Sequence, residues 1–165
     1  MNDSGLLLRE LHHAETELAE AYRAVAERQS ADHGTYYPCH TLADQCDQHA
    51  EQLRAWARHL GTVLRPPKRS ETLSTARDTL RHKSSELLGH RPKAGLSLLR
   101  DLRELYVQAA TVNIHWIMLG QVAHALRDHG LLSMVSTLHG ENLTQAKWIK
   151  TRIKEATPQA LLATD

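Results

Sequence analysis

The side chains best equipped for chemistry in this 165-residue chain are a carboxylate, a thiol and imidazoles that helical spacing directs toward one another. Cys46 and His49 stand three residues apart, close to one helical turn, so the two share a stripe of any helix that carries them. Glu15 lies on an earlier helical segment and His139 on a later one. Carboxylate oxygen, thiolate sulfur and imidazole nitrogen are donors that hold a transition metal, and imidazole also moves protons near neutral pH. Asn142 and Gln145 add two amides about one and two turns beyond His139. The chain has twelve histidines, and only position separates a ligand from a surface imidazole. No Ser-His-Asp order, phosphate loop, HExxH or CxxC occurs, so hydrolase, nucleotide-binding and thioredoxin readings have no support and the sequence leans away from an enzyme.

Composition narrows the setting for these groups. With 41% hydrophobic and 24% charged residues and a formal net charge of +1, the chain reads as one soluble domain of ordinary size. At about 150 residues a chain buries roughly 68–70% of its unfolded surface, so a metal would be present for function rather than to permit folding. Near-neutral charge argues against a globally basic nucleic-acid binder. The start MNDSGLLLRELHH has neither the cationic region nor the apolar length of a secretory signal. The most apolar window, 105–126, contains Gln108, Asn113, His115, Gln121 and His124, too many polar groups for a membrane span. Cys39 and Cys46, seven residues apart on one helix, are separated by about 10.5 Å along its axis and cannot pair there. A reducing cytoplasm is the expected compartment.

The elements that must position these groups are all helical. Glycine and proline divide the chain, and no strand-like alternation of useful length lies between them. The spacing predicts helices over about 4–29, 38–61, 96–128 and 131–156, with a shorter helix over 71–88. The predicted breaks are Ser30–Gly34, the linker Arg65-Pro66-Pro67-Lys68, Gly89, His129-Gly130 and Pro158. Residues 1–158 then form one domain, followed by a tail, 159–165. Four helices carry apolar seams of alternating four- and three-residue spacing. These are Leu7, Leu11, Ala14, Leu18, Ala21 and Val25; Cys39, Leu42, Cys46, His49, Leu53, Trp56 and Leu60; Leu98 to Leu126; and Leu131 to Ile153. Short connections join the first and second helices and the third and fourth, whereas the middle connection is long.

This layout resembles the ferritin-like superfamily: an all-α, antiparallel four-helix bundle with a long crossover between helices two and three, here carrying a short extra helix. That family's di-iron site takes a Glu from each of two helices and Glu-x-x-His from each of the other two. Glu15, roughly 60° from its seam, is the best inward carboxylate of the first helix. Cys46-x-x-His49 resembles Glu-x-x-His with a thiol in place of the carboxylate, a donor set that suits zinc, copper or one softer ion better than an oxygen-bridged pair of irons. Helix three offers Ala109, Val112 and Trp116 at mid-seam and no carboxylate. On helix four Asn142 lies on the seam, Gln145 and His139 flank it, and Glu141 is turned roughly 90° aside. The resemblance thus implies the architecture with a degenerate ligand set. Two uses of the cluster Glu15, Cys46, His49, His139, Asn142 and Gln145 follow. One is a hydrogen-bonded core network in a binding or interaction protein. The other is a mononuclear site for zinc, iron or copper at Glu15, His49 and His139, with Cys46, in metal handling or oxygen chemistry. Gly140, inside the fourth helix, costs about 1 kcal/mol relative to alanine and is expected to serve a close approach or a bend.

Two features suggest partners. Val107, Ala110, Ile114, Ile117, Met118 and Val122 make a second apolar face on helix three, opposite its seam, which suits an isologous homodimer; the alternative is cover by the 71–88 helix, with its own Leu73, Ala76, Leu80, Leu87 and Leu88. Segment 65–93 holds eight Arg or Lys against three acidic residues, a balance that could meet an acidic partner but lacks aromatics for base stacking and fits no nucleic-acid motif.

Overall fold

A computed structural model describes residues 3–66 and 94–162, all in helices, turns or short irregular stretches with no strand among them. The expected 71–88 helix and nearly all of the basic segment 65–93 lie outside the described residues. Among the described residues four helices make the bundle: α1 (Asp3–Arg28), α2 (His33–His59), α3 (Ala94–Leu126) and α4 (His129–Leu162).

Side-chain pairs set the helix directions. Arg28, at the end of α1, holds Asp101 near the start of α3 with Nη2 2.9 Å from Oδ1, while Glu15 and Trp116 meet at mid-height. Arg152 of α4 reaches back to Asp32 before α2, and Gly130 lies against Trp56 at the other end. Each helix is therefore antiparallel to its neighbours, in the cyclic order α1, α2, α4, α3. The pairs α1–α2 and α3–α4 pack most extensively, and α2 and α4 are the most loosely joined neighbours. The end of α2 sits beside the start of α1, where Thr62 touches Gly5. The start of α3 sits at the opposite end, where Gly95 packs on Ala160 near the end of α4.

Local chemistry explains the helix ends. Asp32 caps α2, accepting from the Gly34 amide and the Thr35 hydroxyl, which satisfies donors that the first turn leaves open. The helix therefore starts at His33, before Pro38, and the proline lies inside it. At the far end Gly61 takes φ 76°, its amide bonds Arg58 and the Thr62 amide bonds Ala57, the paired bonds of a Schellman ending. The break between α3 and α4 is one residue pair earlier than the glycine suggests. Arg127 adopts φ 53° and Asp128 caps α4 by accepting from the Leu131 amide, so His129 and Gly130 are already helical. Pro158 does not end α4, whose last turns run to Leu162 and are held by the contact of Ala160 with Gly95.

The core of α3 is the expected one: Leu98, Leu102, Leu105, Ala109, Val112, Trp116, Leu119 and Ala123 are buried, whereas Leu126 is exposed. On α1 and α2 the buried stripe is rotated from the expected seam. The α1 stripe is Leu8, Leu11, Glu15, Leu18, Tyr22 and Val25, with Leu7, Ala14 and Ala21 only half-buried. On α2, Ala43, Ala50 and Ala57 are buried, while Leu42, Trp56 and Leu60 sit at its edge. The reason is a difference in size: alanine lets α1 and α2 approach closely, and the larger residues fill the margins of that contact. The rotation places Glu15 at the centre of the core stripe. It also buries His12, which is not a member of the expected α1 seam.

Candidate functional site

One chain of hydrogen bonds passes through all four helices at mid-bundle. Trp116 of α3 donates its indole N–H to Glu15 Oε1 of α1 at 2.8 Å. The same oxygen lies 3.0 Å from His49 Nδ1 of α2, and His49 Nε2 lies 2.6 Å from Glu141 Oε2 of α4. Glu15 and His49 are almost wholly buried, with side chains 1% exposed, whereas Glu141 is 40% exposed. The imidazole and indole rings meet edge to face, their centroids 6.1 Å apart.

Both imidazole nitrogens thus face carboxylate oxygens. A neutral imidazole has only one N–H, so donating to both carboxylates requires the protonated ring. Burial opposes the charge on His49, but hydrogen bonds to Glu15 and Glu141 and their negative charges outweigh it and raise its pKa above the ordinary histidine value. Glu15 Oε2 has no hydrogen-bond partner among the described residues.

A second set of bonds lies beside the first. Tyr22 and the Cys46 thiol both donate to Gln145 Oε1, at 3.3 and 3.7 Å, and Gln145 Nε2 donates to Gln45 Oε1 at 2.6 Å. Asn142 donates to the Ala109 carbonyl at 3.3 Å, leaving its own Oδ1 unpartnered. Burial pushes the Cys46 thiol far above its usual range and Cys39 up to about 12, with nearby carboxylates acting in the same direction. Neither cysteine is a thiolate at neutral pH, so neither is a ready nucleophile there.

The expected residues therefore separate. Glu15 and His49 meet directly. Cys46 turns to Gln145, so its pairing with His49 along the α2 stripe does not produce a joint site. His139 lies apart from them, with Nε2 2.5 Å from Asn113 Oδ1 of α3, and burial lowers its pKa. Among the described residues no three His, Cys, Asp or Glu side chains are placed to hold a metal ion. The donor set does not fit a di-iron centre either: α3 brings the Trp116 indole to mid-height, and the inward α4 groups are amides. Gly140 also departs from expectation. It is exposed, with nothing within 4 Å of an added Cβ, so no close approach explains it.

Sequence patterning misses Glu141 and the polar role of Trp116. Glu141 is off the α4 seam, but a long side chain at that edge spans to α2, and antiparallel α2–α4 pairing sets it opposite His49. Trp116 reads as a core aromatic; that its N–H must find a partner when buried is the signal that could have linked it to Glu15.

On the outer side of α3, Val107 is 60% exposed, Ile114 56%, Ile117 47% and Met118 39%. No helix among the described residues is long and apolar enough to cross a membrane. The chain matches no protein-family model, no curated protein and no solved structure.

Proposed function

We propose that the protein is a ferritin-like interaction bundle without a complete di-iron ligand set, and that its α3 outer face binds a second copy of the chain. The observation that carries this reading is the row of large apolar side chains left in solvent on α3, directly opposite its buried seam. Val107, Thr111, Ile114 and Met118 follow four-, three- and four-residue steps, the spacing by which two helices interlock side by side. Such a row is self-complementary in an antiparallel pair related by a two-fold axis, with its Val107 end meeting the Met118 end of the second copy. One helix face covers less than the about 800 Å² per partner of a standard stable complex, so the association is concentration-dependent.

In this reading the polar centre serves the architecture. Four helices could pack in several rotations about their axes, and the bonds linking Trp116, Glu15, His49 and Glu141 favour one of them. The end of α2 and the start of α3 lie at opposite poles, which supports a crossover returning along the bundle, as in the ferritin-like arrangement.

Light scattering over a concentration series tests the surface. The expected result is a mass rising from monomer to dimer, abolished by Ile114→Glu, whose helical fold by circular dichroism stays unchanged. A wild-type protein that remains monomeric at every concentration, or a dimer that Ile114→Glu leaves intact, would overturn it.

A further inference from the structure

His49 is linked unequally to its two carboxylates. Glu15 is buried, cannot reach water and is held in place by Trp116. Glu141 stands at the bundle surface, 40% exposed, and its neighbour Gly140 adds no side chain to hinder it. The two bonds also cross different seams. His49–Glu15 lies within the close α1–α2 pair, whereas His49–Glu141 ties α2 to α4, the most loosely joined neighbours.

The geometry points to a pH-operated latch: when His49 gives up one proton, its bond to Glu141 breaks, Glu141 turns to solvent and the middle of the α2–α4 seam loosens. A neutral imidazole keeps a single N–H. That N–H stays on Nδ1, because Glu15 has no water to replace it and an unpartnered buried carboxylate is costly. Nε2 then presents a lone pair to the Glu141 carboxylate, two acceptors facing each other at a distance set for a bond. The departing proton passes to Glu141 and from there to water.

The groups facing His49 are few. From α1 there is Glu15; from α3 the uncharged Trp116 indole; from α4 Glu141; and on α2 itself Cys46 lies one turn away, its thiol neutral. No other charged group among the described residues acts on the ring. The ends of the seam have separate ties, with Arg152 bonded to Asp32 and Thr35 at one pole and Trp56 on Gly130 at the other. Loosening is therefore confined to about residues 45–52 and 138–145, with the Gln145–Gln45 bond at its margin.

The direction with pH follows from linkage. The closed state holds the proton more tightly than an open one, and the open one keeps the Glu15 bond, so closure is fully favoured below the His49 pKa of the Glu15-bonded open state. It is lost as pH rises from there through the raised value of the closed state. Within that window opening releases one proton, and because only the part-exposed Glu141 arm is lost the opening constant grows by a few-fold in all.

Amide hydrogen exchange on the full chain between pH 6 and 10, with His49 followed by its imidazole NMR signals, tests the latch. Protection factors for residues 45–52 and 138–145 should fall a few-fold as pH rises to the His49 midpoint and level off above it, while those for 11–18 on α1 stay level. Glu141→Gln keeps an acceptor but removes the charge, and should move both the His49 midpoint and the loss of protection to lower pH. Glu51→Gln, an exposed α2 carboxylate paired with Arg54, should move neither. Protection in the α2–α4 middle that is flat across the His49 titration, or that falls together with α1, would overturn the latch, as would an unchanged His49 midpoint in Glu141→Gln.

Discussion

Replacing His49 by alanine removes the central link of the four-helix hydrogen-bond chain, and its two arms predict unequal costs. The Glu15 arm is buried on both sides, with side chains 1% exposed. Without the imidazole, the Glu15 carboxylate keeps only the Trp116 N–H as donor, and Oε2 already has none. Breaking a buried pair by removing one partner costs about 3–5 kcal/mol, most of it the stranded charge. The Glu141 arm ends in a group that can turn to water and contributes about 0.2–1 kcal/mol, as exposed ion pairs do. The buried arm dominates, so His49→Ala should lose about 4 kcal/mol. At about 2–4 °C per kcal/mol for a domain of this size, that lowers Tm by about 8–16 °C. Urea unfolding followed by circular dichroism measures the difference. Because the His49 pKa is raised in the folded chain, its contribution is complete below the ordinary histidine value and fades as pH rises through the folded one. The gap between wild type and His49→Ala should accordingly be wider at pH 6 than at pH 9.5. Adding Glu15→Gln to His49→Ala removes the stranded charge and should recover part of the loss. A cost at pH 6 within the about 0.5 kcal/mol of an ordinary surface substitution would refute the reasoning, as would a gap that does not narrow with pH.

Further outcomes follow from the glycines and the thiols. Gly140→Ala should raise stability by about 1 kcal/mol in thermal melts, because the position is helical, exposed and open. Gly130→Ala should instead cost about 1–3 kcal/mol, since the new Cβ would lie 2.8 Å from the Trp56 ring; equal effects at the two sites would contradict the packing of α2 on the start of α4. With its thiol pushed up to about 12, Cys39 is about one part in 10⁵ thiolate at pH 7, and Cys46 is less ionised still. Both cysteines should resist iodoacetamide in the native protein and alkylate fully in urea, as mass spectrometry would show; rapid native labelling would mean the core opens readily.

The four long helices, the buried stripe of α3 and the apolar row opposite it are legible in the sequence because each depends on residue spacing along one helix. A periodicity of 3.6 places Leu98 to Ala123 on one side and Val107 to Met118 on the other without reference to any partner. The helix ends are legible where a local device sets them, as Gly61 does, and are misread where a distant contact prevails. Pro158 reads as a stop, yet Ala160 packing on Gly95 holds the chain helical beyond it.

The chemical centre depended on information that no single helix contains. Sequence spacing brings Cys46 and His49 to one stripe and nominates Glu15, but their side chains have several possible partners within reach. Tertiary packing sends Cys46 to Gln145 and His139 to Asn113, and brings the surface-edge Glu141 onto the second nitrogen of His49. The physical reason is the rotation of each helix about its own axis. On α2 the buried stripe includes Ala43, Ala50 and Ala57 beside the predicted seam, and that shift decides which polar atoms meet. Residue types and their order determine that this chain makes an amphipathic bundle with an acid, a thiol and an imidazole near mid-height. Only the packed bundle decides that the imidazole is shared between two carboxylates.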